Sequence, residues 1–232
     1  MKDDFYCIIP CGGFGTRIKP FSKYIPKDLL PINGVPIICK VVEEIISIKK
    51  IKKIIFVTAP HKRIVTKVLN RYFPNDNYKF KFIIDNSYKG LDNSILLAKK
   101  YCRNAYGTLF YWPDCFNKEN EVAKMISEYD GNSLIGITKV NDVRQYGSVV
   151  VKNLKILKII QKPKFNKAKS GMVYWGKAIV NKTFWEKYKG DLDVSFMALN
   201  YFYLSSKPYD TGNLRDYALA NYELTISHCN HV

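Results

Sequence analysis

Through its first 140 residues the chain alternates apolar, β-rich runs with segments whose apolar residues recur at helical spacing, and few folds accept that rhythm. FYCIIP (5–10), KKIIFVTA (52–59), KFKFIID (79–85), GTLFYWPD (107–114) and NSLIGITKV (132–140) read as strands. Helical patterns fall between them at 36–48, 62–73, 92–102 and 121–129. Strand–helix alternation predicts an α/β fold: a mostly parallel, Rossmann-like sheet with helices on both faces. Right-handed crossovers join parallel neighbours, and ligands bind beyond the carboxyl ends of such strands.

The texture changes after residue 140. SVVVKNLKILKIIQKP predicts a β-hairpin turning at Lys152-Asn153, and SGMVYWG a further strand. VSFMALNYFYL and LRDYALANYEL read as two closing helices. There is no long linker, low-complexity tract or internal repeat. With 232 residues, 47% of them hydrophobic, the chain can bury a real core. The expectation is one domain over 1–232, with a core at 1–140 and a small β-rich lobe with closing helices at 141–232.

The net charge is +17, which invites a nucleic-acid reading. The excess is mostly lysine spread along the chain, so a solvated surface that attracts anionic small molecules is the expectation, with no nucleic-acid partner. No apolar run approaches the ~20 residues of a membrane-spanning helix, and no membrane association is expected. The start, MKDDFYCIIPCGG, carries acidic residues where a signal peptide is positive, which suits a cytoplasmic protein. The six cysteines form no Cys-x-x-Cys pair and read as free thiols.

The first strand runs directly into CGGFGTRIKPFSKYIPKDLLPI. Gly12, Gly13 and Gly15 let the chain turn sharply and bring backbone N–H groups, including those near Pro10 and Cys11, close to phosphate oxygens. The dinucleotide pattern G-x-G-x-x-G fails at Ile18, and no Gly-Lys-Ser/Thr completes a P-loop. Arg17 offers a planar fork and Lys27 a compact point charge, the pair suited to a triphosphate.

The whole string, Gly13-Phe14-Gly15-Thr16-Arg17-Ile18-Lys19-Pro20 and then Pro26-Lys27-Asp28-Leu29-Leu30-Pro31, resembles the signature of the nucleotidyltransferases that activate sugar phosphates. Within them it looks most like the bacterial UTP–glucose-1-phosphate uridylyltransferases. Gly90-Leu91, Trp112-Pro113-Asp114, Tyr146-Gly147-Ser148-Val149-Val150, Gln161-Lys162-Pro163 and Tyr209-Asp210-Thr211-Gly212 follow in the same order. The resemblance implies a reaction of a nucleoside triphosphate with a phosphorylated small molecule, giving a nucleoside-diphosphate conjugate and pyrophosphate. It implies Arg17 on the β- and γ-phosphates, Lys27 on the α-phosphate and Lys162 on the acceptor phosphate. Asp114 and Asp210 would hold Mg²⁺, a hard ion that prefers carboxylate and phosphate oxygens. Pro10, Cys11, Gly12, Gly13, Gly15, Thr16, Asp85, Gly90 and Asp114 would surround the nucleotide, and Tyr146, Gly147, Gln161, Lys162 and Gly171 the acceptor. By the same likeness, 1–140 is the nucleotide-binding core and 141–232 the acceptor-binding lobe. Surface polysaccharide biosynthesis is the implied setting, and a homo-oligomer remains open.

Two departures bear on substrates. Relatives using UTP or dTTP often carry Gln where this chain has Asp85; an ionised Asp only accepts hydrogen bonds, which suits cytosine N4 or guanine N1/N2. Uracil N3–H would still find a partner there, and a one-residue slip would place Asn86 at the position. The relatives' Glu-Lys-Pro is Gln161-Lys162-Pro163, so the acceptor is a sugar 1-phosphate or a non-sugar phosphate. The competing readings are a plain UTP–glucose-1-phosphate uridylyltransferase, a non-catalytic nucleotide sensor and, from charge alone, a nucleic-acid-binding module.

Overall fold

The computed structural model describes residues 3–164 and 171–229. Its elements run in the order β1 (Phe5–Pro10), β2 (Pro31–Ile32), β3 (Val35–Pro36), α1 (Ile37–Ile46), β4 (Ile51–Thr58), α2 (Arg63–Tyr72), β5 (Phe80–Ile84), α3 (Leu91–Cys102), β6 (Gly107–Tyr111), β7 (Cys115–Asn117), α4 (Glu121–Ser127) and β8 (Leu134–Val140). Then come β9 (Gly147–Lys152), β10 (Lys155–Gln161), β11 (Gly171–Val180), α5 (Lys182–Lys187), α6 (Leu192–Phe196), β12 (Asn200–Tyr203), β13 (Pro208–Asp210) and α7 (Leu214–Cys229).

Alternation within each strand decides which layer it feeds. In β1, Phe5, Cys7 and Ile9 enter one core with α1, α2 and α4, while Ile8 enters the other with α3, α5 and α6. β4 splits the same way, Ile54 and Phe56 against Ile55 and Val57. A strand buried on both faces needs apolar residues at every position, which is why these runs read as continuous. A third, smaller cluster joins Ile18, Leu30 and Ile32 to Tyr209, Tyr217 and Ala220, fastening α7 beneath the glycine-rich segment.

The sheet has nine strands in the order β5-β4-β1-β6-β11-β8-β12-β10-β9. β5, β4, β1 and β6 are parallel, but β11 runs antiparallel to both β6 and β8, and β10 antiparallel to β12 and β9. The sheet is therefore mixed, a correction to the mostly parallel expectation. β9, β10, β11 and β12 extend this sheet, whereas β13 pairs with β7 in a separate two-stranded one. From β1 the chain winds outward to β4 and β5, then returns to β6 on the other side of β1. In open α/β sheets ligands generally bind outside the carboxyl ends of the strands where the winding reverses, here β1 and β6.

Two expectations at the carboxyl-terminal end shift. VSFMALNYFYL is not one helix: α6 ends at Phe196, Ala198 takes φ +67, and β12 lies parallel to β8. Asn200-Tyr201-Phe202-Tyr203 fits a pleated, half-buried site better than a helix, because aromatic rings pack on cross-strand neighbours. The hairpin turns at Asn153-Leu154, one residue later than expected, since Lys152 pairs with Lys155. Both turn residues have positive φ, as a two-residue hairpin of right-handed twist requires. Ser170, first residue of the expected strand SGMVYWG, lies outside the described residues. Among them, no helix is long and apolar enough to cross a membrane.

Candidate active site

The glycine-rich segment leaves β1 with Cys11 N–H donating to Val57 O at 2.8 Å. Gly15 has φ +67, and a Cβ there would stand 3.2 Å from both Lys27 Cβ and Ser22 Cβ. Only glycine lets the chain turn there and lets the Lys27 stem pass so close. The turn Thr16–Ile18 then presents Arg17, and the turn Lys27–Leu29 presents Lys27.

Lys27 Nζ meets Asp114 Oδ2 at 2.6 Å. Asp114 lies beyond the end of β6, three residues past Tyr111, in the loop to β7. Burial works against both charges, yet their mutual attraction prevails. Lys27 is held above the ordinary lysine range and Asp114 below the usual carboxylate range, Arg17 adding to the latter. A buried lysine braces this loop. Lys177 Nζ donates to Cys115 O at 3.1 Å and Asn117 Oδ1 at 2.8 Å, and burial lowers its pKa to about 8.

Asp210 reaches the same point from β13, whose register sets Asp210 opposite Cys115 of β7. Burial and then the neighbouring charge of Asp114 push its carboxyl up to about 6. A Cβ on Gly212 would lie 2.9 Å from Asp210 Oδ1, 3.1 Å from Arg17 Nη2 and 3.4 Å from Asp114 Oδ2. Two carboxylates and a guanidinium thus converge on a space that only glycine leaves open.

That pair fits Mg²⁺. No group of three or more His, Cys, Asp or Glu forms a metal cage among the described residues. Mg²⁺ needs none, since it takes one or two carboxylates and completes its octahedron with phosphate oxygens and water. The repulsion from Asp114 that adds to burial in lifting Asp210 is what a divalent cation relieves.

Two clefts flank Asp114. The first is lined by Pro10, Gly12, Gly13, Lys27, Asp85 and Gly90, as the sequence implies, and also by Phe14, Tyr88, Leu91, Ser94 and Trp112. The second is lined by Arg17, Tyr146, Gly147, Gln161, Lys162 and Asp210, with Trp112, Gln145, Tyr174 and Trp175. Asp114 and Trp112 line both. Lys162 has φ +44, unusual for a residue with a side chain, and its N–H donates to Tyr146 O at 3.0 Å. That places its ammonium-bearing chain at the end of β10, where such strain is characteristic of binding positions. Gln161 Nε2 donates to Tyr174 Oη at 3.1 Å and Asp193 Oδ1 at 2.9 Å.

Some expected residues fall elsewhere. Cys11 is buried behind the segment, its thiol pushed up to about 12 by burial and by Asp28, and it does not line the first cleft. Gly15 and Thr16 shape the turn without lining either cleft, and Gly171 stands opposite Val140 at the start of β11, away from both. Asp85 lines the first cleft, but its carboxylate already accepts from Ser87 N (2.8 Å), Ser87 Oγ (2.6 Å) and Asn93 Nδ2 (3.0 Å). Burial opposes its charge, but these donors hold it below the usual range. Sequence reading passed over Phe14, Tyr88 and Tyr174; aromatic residues inside glycine- and turn-rich loops were the available signal. Among the described side chains Cys7, Cys11, Cys39, Cys102 and Cys115 are free thiols.

The sequence matches the Nucleotidyl transferase family over residues 6–226. A UTP–glucose-1-phosphate uridylyltransferase of Mycoplasma pneumoniae is 25% identical over 87% of this chain and 82% of its own length. The structure of HddC from Yersinia pseudotuberculosis complexed with GMP-PN superposes with a TM-score of 0.73 at 25% identity, covering 94% of this chain and 98% of that one. CTP:phosphocholine cytidylyltransferase (LicC) from Streptococcus pneumoniae has the same fold, with a TM-score of 0.72 at 17% identity, covering 95% and 99%. The match across nearly the whole chain places this protein in the nucleotidyl transferase family.

Proposed function

We propose that this chain, which belongs to the nucleotidyl transferase family, joins a nucleoside triphosphate to a phosphate monoester and releases pyrophosphate. The observation that carries the reading is the pair of clefts that share Asp114, one holding Lys27 and the other Arg17, Lys162 and Asp210. Two anionic substrates meeting at one atom repel each other. Fixed cations on both sides neutralise that repulsion and orient the approach.

An acceptor phosphate oxygen attacks the α-phosphorus, the bond to the bridging oxygen breaks, and pyrophosphate leaves with its electron pair. The acceptor is already ionised, so no general base is required. Backbone N–H groups of Gly12 and Gly13 and the Lys27 ammonium bind the donor phosphates. Arg17 faces the charge that develops on the leaving group, and Lys162 holds the acceptor phosphate. Asp114 and Asp210 would hold Mg²⁺, which would supply Lewis-acid neutralisation of the phosphate oxygens.

Asp85 supports a donor with an amino-bearing base edge. An ionised carboxylate offers about four lone-pair sites. That of Asp85 accepts from Ser87 and Asn93 with the Ser94 hydroxyl beside it, and these hold it ionised, the state that accepts from a donor such as cytosine N4–H or guanine N1–H. CTP is therefore preferred, then GTP. The Gln161 amide is occupied by Tyr174 and Asp193, which leaves its carbonyl oxygen to accept from the acceptor. A sugar hydroxyl satisfies it, and so does another donor group. UTP with glucose 1-phosphate is the second reading, favoured by the Mycoplasma relative's activity.

Thermal melting with Mg²⁺ and each of CTP, GTP, UTP, dTTP and ATP tests the donor side without knowledge of the acceptor. A ligand at ~100 times its dissociation constant adds about 2.7 kcal/mol. At roughly 2–4 °C per kcal/mol the shift is several degrees. The expected order is CTP, then GTP, above the rest. An order led by UTP or dTTP contradicts the Asp85 argument and leaves the reaction class standing; no shift with any nucleotide contradicts both.

A further inference from the structure

Three aromatic rings from three loops stack at the outer rim of the first cleft. Phe14 sits in the glycine-rich segment after β1, His61 in the turn after β4, and Tyr88 in the loop after β5. Phe14 and His61 are 4.9 Å apart at an interplanar angle of 2°, Phe14 and Tyr88 5.2 Å at 21°, and His61 and Tyr88 6.1 Å at 22°. These are the ends of three adjacent strands, so the stack bridges the carboxyl edge of three of the four parallel strands β5, β4, β1 and β6.

The rings are not core. Phe14 is 59% and Tyr88 49% exposed, and both line the cleft. Tyr88 is aimed there deliberately by its loop. Asp85, Ser87 and Asn93 close a hydrogen-bonded turn, and Tyr88 follows with φ +54. Few residues with a side chain occupy that region unless the surroundings impose it. The cleft thus has a polar end, at Lys27 and Asp114, and an aromatic end, at Phe14 and Tyr88.

We propose that Phe14 and Tyr88, backed by His61, are positioning residues for the donor, forming the wall against which its base stacks and setting how long the nucleotide stays. This rests on the reading of the first cleft as the donor site. A nucleoside triphosphate has one planar π-face, and its phosphates are drawn to the polar end, so the base falls beside the rings. Stacking is indifferent to base identity because every base has such a face. The rings therefore supply affinity, and Asp85 supplies choice.

Phe14→Ala and Tyr88→Ala are each expected to weaken Mg²⁺-dependent binding of CTP, GTP, UTP and ATP by about tenfold, all alike, through faster dissociation. The loss should appear in KM for the nucleotide more than in kcat. Phe14→Tyr and Tyr88→Phe keep the π-face and should bind like the wild type. Phe14→Leu and Tyr88→Leu keep bulk without the π-face and should behave like the alanine variants, which separates stacking from packing should an alanine variant fail to fold. Stopped-flow tryptophan fluorescence, with Trp112 in the cleft, reads the rates. Unchanged affinity in the alanine and leucine variants overturns the proposal, as does a loss confined to one base. A wild-type protein that binds no nucleoside triphosphate overturns the donor-site reading and this proposal with it.

Discussion

Asp114→Asn is expected to lower turnover by about a thousandfold or more while the protein still melts cooperatively. Asparagine keeps the shape of aspartate and one acceptor oxygen, so Lys27 retains a hydrogen-bond partner at the position it meets at 2.6 Å. The charge is what disappears. Without it Lys27 and Arg17 lose a shared counter-charge, and the carboxylate pair that fits Mg²⁺ is halved. Nucleotide binding should survive, because the cations that hold phosphate are intact. A variant that turns over within about tenfold of the wild type would show that Asp114 has no part in the transfer. Circular dichroism and a melting curve on the same sample separate lost chemistry from lost fold.

The largest effect on stability is expected at a residue outside both clefts. Lys62, in the turn after β4, is 1% exposed and pairs with Asp28, which is 2% exposed and lies beside Lys27. Lys62 meets Asp28 Oδ2, and Asp28 Oδ1 has no hydrogen-bond partner among the described residues. Lys62→Met fills the same volume but leaves a buried carboxylate uncompensated. Breaking a buried pair from one side costs about 3–5 kcal/mol. For a domain this size that is a fall in melting temperature of roughly 6–20 °C. Replacing both partners removes the stranded charge, so Lys62→Met with Asp28→Leu should recover much of the loss. A single variant within about 1 kcal/mol of wild type, or a double variant no better than the single, contradicts this account.

What the sequence disclosed follows from how local each signal is. β1 and β4 were legible because a strand covered on both faces has to be apolar at successive positions, as Ile54, Ile55, Phe56 and Val57 are. The insertion of β11 between β6 and β8 was not legible, since strand order is a long-range property that no window of residues contains. Asn200–Tyr203 misled for a related reason: the apolar pattern VSFMALNYFYL satisfies a helix locally, and only the place beside β8 makes its second half a strand.

The site divides the same way. Arg17 and Lys27 stood out as cations in a glycine- and proline-rich segment. Asp114 and Asp210 are joined only by the β7/β13 pairing, so resemblance alone brought them together in advance. Lys62 and Asp28 carry no motif, and one lysine among many in a chain of charge +17 gives no sign of burial. Asp85 was located in the cleft, but its turn with Ser87 and Asn93, and hence the direction of Tyr88, depends on side-chain geometry that spacing does not encode.

The most direct test follows pyrophosphate release from CTP, GTP and UTP with Mg²⁺ against a panel of sugar 1-phosphates and non-sugar phosphate monoesters. The account predicts pyrophosphate only when triphosphate, metal and phosphorylated acceptor are present together, in step with the nucleoside-diphosphate conjugate, and lost in Asp114→Asn. Orthophosphate in place of pyrophosphate, or pyrophosphate release that persists without an acceptor, would contradict it.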